Sequence, residues 1–336
     1  MKWGILSAAL VVSWVATAEV LSTNQEVVPS VIIVVGAPGE DLFEEQFAAW
    51  GSNWWGAAET ARAKRQAVGL TNSPATNQLE QLRLMLHAEQ KNSSSPLWLI
   101  LIGHGTFDNQ EAKFNLRGPD LTATTLSEWL KEFHRPIAIL NTFSASGPFM
   151  NKLSGPGRVV ITATRSGTEQ NYSRFGKYLS EALLSGDADL DKDGRVSLLE
   201  CYLKAARDLA EFYRTQGRLA TEHPLLDDNG DGLGTPPDWF RGIRAVKKAK
   251  DDASLDGMRA HQLHLFSDAG ELALSAEART RRDAIEQQIE ALRQHKAELK
   301  EDDYYGQLEK LLVELAMLYR GAQKPPGTSS GGNSRP

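Results

Sequence analysis

Leu97-Trp98-Leu99-Ile100-Leu101-Ile102 runs straight into Gly103-His104-Gly105, and this stretch decides the fold. A run so short and so rich in bulky apolar side chains reads as a strand buried on both faces, as in a parallel sheet. A second such run, Ile137-Ala138-Ile139-Leu140, leads into Asn141-Thr142-Phe143-Ser144-Ala145-Ser146-Gly147. In an open α/β sheet, ligands bind beyond the carboxyl ends of the strands. A histidine at one strand end and a hydroxyl cluster at another is the arrangement that can make a nucleophile and base pair.

Working outward, Val31 to Val35 reads as a first strand, stopped by Gly36-Ala37-Pro38-Gly39. The spacing of Phe43, Phe47 and Trp50 predicts a helix over 40–50, a turn at 51–56 and further helix at 57–67. Helices are predicted over 77–90, 121–133 and 171–184, with 148–157 irregular and a strand at 158–164. Strand and helix in alternation give an α/β class, a mostly parallel sheet covered by helices.

Beyond Gly186 the pattern changes to acidic loops and helices, which sets a calcium-loop helical region at 185–250 behind an α/β domain at 19–184. Residues 251–321 form a helical C-terminal arm. Its Ile285, Ile289, Leu292 and Leu299, then Leu308, Leu311, Leu315 and Leu318, fall near heptad spacing. Asp302-Asp303 and Gly306 are expected to divide it. A helical hairpin and an intermolecular coiled coil both satisfy that spacing, and the second would let the chain self-associate. The Pro-, Gly- and Ser-rich tail at 322–336 is expected to be disordered.

Lys2, the apolar stretch Trp3 to Val15 and Ala16-Thr17-Ala18 read as a signal peptide over 1–18, cleaved after Ala18. That stretch is short for a span needing about 20 residues. The chain is thus expected to be secreted or periplasmic, with no stable membrane insertion after cleavage. A net charge of −6 gives no basic footprint, so nucleic acid is not an expected partner. The single cysteine, Cys201, rules out an internal disulfide and reads as a small buried apolar residue.

Asp189-Leu190-Asp191-Lys192-Asp193-Gly194-Arg195-Val196-Ser197-Leu198-Leu199-Glu200 matches the EF-hand loop at every defined position. Ca²⁺ is a hard cation that takes six to eight oxygens, and a tight loop turns alternate side chains inward to supply them. Asp189, Asp191 and Asp193 would give carboxylates, Arg195 its carbonyl, Ser197 its hydroxyl or a bridging water, and Glu200 a bidentate carboxylate. Gly194 permits the bend. A second loop sets Asp227, Asn229 and Asp231 at the first three ligand positions and Asp238 at the twelfth. Pro236 and Pro237 disfavour a regular exiting helix there.

Residues 31 to about 184 resemble the caspase-fold cysteine peptidases, most closely their legumain-like branch. That family places a His-Gly after one apolar strand and a cysteine after the next. His104-Gly105 matches the first element. Thr142-Phe143-Ser144-Ala145-Ser146-Gly147 lines up with the family's Glu-Ala-Cys-Glu-Ser-Gly, with Ser146 and Gly147 anchoring the register. The resemblance implies His104 as base and Ser144 at the nucleophile position. Amides near Gly105 would hold an oxyanion, with Ser146 in support. Arg158 to Thr164 and Arg165 to Gln170 resemble the next strand and its substrate-side loop.

The family nucleophile is a thiol, and here a hydroxyl stands in its place. A thiol is readily ionised beside an imidazole, whereas serine stays protonated and needs an oriented base throughout. Serine enzymes commonly add an acid that fixes the imidazole, and only Asp108, Asp120 and Glu169 are nominal candidates. The expectation is therefore an exported calcium-binding protein whose peptidase domain is degenerate and binds peptides or proteins. The alternatives are a serine hydrolase using His104 and Ser144, and an envelope scaffold joined through the C-terminal helices.

Overall fold

The computed structural model describes residues 28–70, 77–250, 253–266 and 274–322. The expected signal peptide and nearly all of the expected tail lie outside them. The first strand is β1 (Ser30–Val35), followed by α1 (Asp41–Thr60), β2 (Lys64–Val68) and α2 (Gln78–Ala88). Next come β3 (Leu97–Gly103), the short strands β4 (Gly105–Phe107), β5 (Ala112–Phe114) and β6 (Leu121–Thr122), and α3 (Ala123–Leu130). Then follow β7 (Ile137–Phe143), α4 (Gly147–Leu153), β8 (Arg158–Thr162), α5 (Phe175–Ala182), α6 (Leu198–Thr215) and β9 (Leu225–Asp227). The chain continues through β10 (Phe240–Arg241), β11 (Arg244–Ala245), α7 (Met258–Gln262), α8 (Ala276–Gln294) and α9 (Glu301–Ala322).

Six strands form the main sheet in the order β2-β1-β3-β7-β8-β9. All neighbours are parallel except β9, which runs antiparallel to β8 and draws the sheet past residue 184. The strand order reverses between β1 and β3, which opens a crevice at their carboxyl ends. Val31, Ile33, Trp98, Ile100 and Leu140 face α1, α5 and α6. Ile32, Val34, Leu99, Leu101 and Ile139 face α2, α3 and α4. Every side chain of β1, β3 and β7 is buried, as the uninterrupted apolar runs require.

Several element boundaries differ from the local reading, each through a distant contact. The turn expected at 51–56 is helical, because α1 continues to Thr60. Gly51 sits where the helix presses on the sheet: a Cβ there would lie 2.7 Å from Leu70 Cδ1 and 3.0 Å from Val35 Cγ2. Helix expected at 57–67 gives way to the edge strand β2, whose polar face is held by pairing with β1 rather than by its own periodicity. The irregular stretch at 148–157 contains α4, with Pro148 in its first turn, where a missing N–H costs nothing.

Helix α5 begins at Phe175 rather than 171. The buried Glu222 carboxylate takes the Arg174 and Phe175 N–H groups, at 2.9 and 3.0 Å, and so caps the helix from a distant segment. The arm divides at 295–300, not at 302–306, since Asp302 and Asp303 lie in the first turn of α9 and suit its positive end. Helices α8 and α9 pack on each other within the chain, clasped by Arg281 and Glu314 at 2.6 Å. Cys201 is fully buried in α6, and burial pushes its thiol pKa up, which fits an apolar role.

Candidate functional site

The register Gly103↔Phe143 sets the ends of β3 and β7 side by side. Ile102 faces α1 and Phe143 packs on the opposite face, so strand parity turns the residues that follow Gly103 and Phe143 back toward the α1 side. His104 and Ser144 thus emerge at adjacent strand ends, and the small antiparallel sheet beginning at Gly105 continues directly from the histidine.

The two side chains have different partners. The Ser144 hydroxyl donates to the Gly105 carbonyl at 3.0 Å and accepts from the Gly105 N–H, also at 3.0 Å. Ser144 is 1% exposed. The His104 ring lies edge-on to Phe43 and Phe47, with centroids 4.8 and 5.0 Å away, and 6.0 Å from Tyr172. Burial lowers its pKa, against the smaller pull of the Pro38 carbonyl and of Glu40. No hydrogen bond joins His104 to Ser144.

The remaining residues of the tip are structural in their contacts. Gly105, expected to offer its amide to an oxyanion, gives it to Ser144. The Ser146 hydroxyl accepts from Ala163 N at 3.0 Å and Thr164 N at 3.2 Å, and pairs with the Thr164 hydroxyl. It ties the end of β7 to the end of β8. Ala145 adopts φ 58°, a left-handed conformation that costs a side-chain-bearing residue of order 1–2 kcal/mol.

A second imidazole lies near this tip, without any signal in the sequence spacing. His223 Nδ1 sits 2.6 Å from Glu169 Oε1, and the Glu169 carbonyl accepts the Ala145 N–H at 2.8 Å. Glu169 also takes the main-chain N–H groups of Arg165 and His223. The acid orients His223 rather than His104. Glu169 and His223 are 54 residues apart, so only the fold brings them together.

Two solved caspases are similar to this chain. One is the Drosophila initiator caspase Dronc, 12% identical, with a TM-score of 0.36, covering 68% of this chain and 92% of its own. The other is caspase-1 from Spodoptera frugiperda, 10% identical, with a TM-score of 0.38, covering 61% of this chain and 90% of its own. Likeness at that level adds no weight to the sheet order and strand-end residues described above. No protein-family model matches the sequence, and no curated protein matches it.

Asp189, Asp191 and Asp193 each bring a carboxylate oxygen within 4.8 Å of the other two. Among the described residues this is the only such group of three or more His, Cys, Asp or Glu side chains. Asp189 Oδ1 is buried and has no hydrogen-bond partner. Gly194 makes the bend at φ 88°. Burial, with the charges of Glu200 and Asp193 adding to it, raises the Asp191 pKa, so the loop holds negative charge at a cost that a cation would remove. Arg195 leans its guanidinium on Asp193 at 2.9 Å. Glu200 is turned into the loop, where its carboxylate accepts from Leu190 N, Ser197 N and the Ser197 hydroxyl at 2.7, 2.8 and 2.8 Å. Ser197 and Glu200 together form the capping box of α6. The donor set fits a hard divalent cation.

The second loop is built differently. The Asp227 carboxylate accepts Gly230 N, Gly232 N and the Ser154 hydroxyl, at 2.9, 2.6 and 2.6 Å. Asn229 and Asp231 each accept an N–H two residues onward, from Asp231 and Leu233. Asp238 lies on a separate 3₁₀ turn at Pro237–Trp239. The loop's side chains satisfy its own main chain.

Proposed function

We propose that this chain is an exported, calcium-binding protein whose caspase-like α/β domain binds peptides or proteins without cleaving them. The observation that carries this reading is the double engagement of the Ser144 hydroxyl by Gly105. A serine nucleophile needs its proton directed at a base. Here the proton is given to a main-chain carbonyl, and His104 is held in an aromatic box. The strand-end motifs support a peptidase ancestry and a cleft at the switch between β1 and β3, where an extended segment would lie. The N-terminal sequence pattern supports export.

Calcium belongs to the same reading. Asp189, Asp191 and Asp193 would hold the ion, with Arg195 giving its carbonyl, Ser197 its hydroxyl and Glu200 turning its carboxylate to the loop centre. When bound, the ion neutralises the acidic loop and fixes the start of α6, which packs on α5 beside the sheet. The role is structural support of the domain.

The test uses the full chain. Incubation with a peptide library is expected to give no cleavage, whereas cleavage that disappears in both Ser144→Ala and His104→Ala would overturn the reading. Calorimetry with CaCl₂ is expected to show at least one site, weakened in Glu200→Gln. Glutamine keeps the capping box, so the loss would report on the ion rather than on the helix. Absence of both heat and thermal shift would remove calcium from the proposal.

A further inference from the structure

Helix α9 runs for 22 residues and packs on α8. Its inner side carries the leucines that fall near heptad spacing. Tyr304 is buried, Leu308, Leu311, Leu315 and Leu318 are partly buried, and Glu314 among them holds Arg281 of α8. The hairpin within one chain takes up that face.

The outer side carries a different stripe. At 3.6 residues per turn, Glu309, Val313, Ala316 and Arg320 fall on one line along the helix. All four are exposed. Leu312 and Met317 flank the line, and Leu312, Val313 and Met317 are 46%, 46% and 67% exposed. Single apolar side chains on a surface are ordinary. Here they adjoin one another, and a lone acid and a lone base bracket them. Neither Glu309 nor Arg320 has an ion pair or a side-chain hydrogen bond among the described residues. The two cannot meet in one chain, because the intervening helix separates them by about 16 Å.

The stripe is symmetric about its middle. Glu309 and Arg320 share a midpoint between Glu314 and Leu315, and Val313 and Ala316 share the same midpoint. Two such helices laid antiparallel, midpoint on midpoint, set Val313 against Ala316 of the second copy and Glu309 against its Arg320. Each of these contacts then occurs twice, which is the reciprocity that a two-fold interface requires. A parallel pair would set Glu309 on Glu309 and Arg320 on Arg320. The small Ala316 lets the two helices approach, and the unbranched Met317 adapts to close the seam along one flank.

We propose that the outer face of α9 is a self-association surface on which a second copy of this chain docks antiparallel. Val313 and Ala316 form its centre, and reciprocal Glu309–Arg320 pairs form its ends. The seam covers about three helical turns, which places it at the small end of specific interfaces, with a dissociation constant on the order of tens of micromolar. It depends neither on the Ser144 tip nor on the acidic loop.

The test is sedimentation equilibrium of the full chain over about 1–500 μM, a range that brackets the expected constant. The average mass is expected to rise from one chain toward two. Val313→Glu puts a charge at the centre and should leave a monomer; Val313 is exposed, so the thermal midpoint should hold. Glu309→Arg alone and Arg320→Glu alone should each weaken association by about tenfold or more, since both ends of the seam then repel. The double variant Glu309→Arg with Arg320→Glu should restore it. A single mass across the range would overturn the proposal, leaving the face to some other partner, and so would a mass rising past two chains. Single charge reversals without effect, or a double variant that stays weak, would overturn it as well.

Discussion

The Ser144 hydroxyl lies 3.0 Å from both the nitrogen and the oxygen of Gly105, so one main-chain unit holds its proton and one of its lone pairs. Removing that hydroxyl strands two buried main-chain groups. Ser144→Ala is expected to cost about 1–3 kcal/mol, read as a lower urea midpoint with an unchanged slope. Ser144→Cys places a thiol in the same enclosed position. It should alkylate with iodoacetamide far more slowly in the folded chain than after denaturation, and rapid modification in the folded state would show the tip to be open.

Gly105 has no room for a side chain. A Cβ there would meet the Ser144 carbonyl at 2.2 Å and Phe143 Cδ2 at 2.5 Å. Gly105→Ala should therefore cost about 1–3 kcal/mol, in the range of overpacked cores. Thermal melts of wild type and variant at one pH give the comparison, and equal midpoints would contradict the close approach.

His104 carries its depressed pKa into the stability of the fold. Burial favours the neutral ring, so the unfolded chain binds this proton more readily. The contribution is whole above the ordinary histidine value of about 6.5 and is lost as the pH falls through it toward the folded value. His104→Phe keeps an aromatic ring against Phe43 and Phe47 and should flatten the acid limb of stability against pH. An unchanged limb, followed by urea unfolding between pH 7 and pH 5, would place the dependence elsewhere.

Asp228 and Asp256 are buried together, with Asp256 accepting the Asp228 and Asn229 N–H groups at 2.9 and 3.0 Å. Burial and the nearness of two carboxyls raise the Asp256 pKa. The folded state therefore holds a proton that the unfolded state releases. This contribution is complete below the ordinary carboxylate value of about 4 and fades as the pH rises through the folded one. Asp256→Asn makes the neutral form permanent and should reduce the loss of stability on the alkaline side. A variant that weakens with rising pH as steeply as the parent would count against the pair.

The sheet was legible because β1, β3 and β7 are buried on both faces and so show as continuous apolar runs. The acidic cluster of Asp189, Asp191 and Asp193 was legible because its carboxylates lie within five consecutive residues. Edge strand β2 was not, since Lys64 to Val68 carries no periodicity and is held by β1. The start of α5 depended on Glu222, and the orientation of His223 on Glu169, both across long separations.

Local pattern in the sequence determined the α/β class, the two strand ends and the acidic loop, because each is written in neighbouring residues. The tertiary structure decided what those ends do. Whether a hydroxyl meets an imidazole or a main-chain amide depends on the turn at Ala145 and on the packing of Phe43 and Phe47 around His104. Such contacts join residues far apart in the chain, where side-chain spacing carries no information.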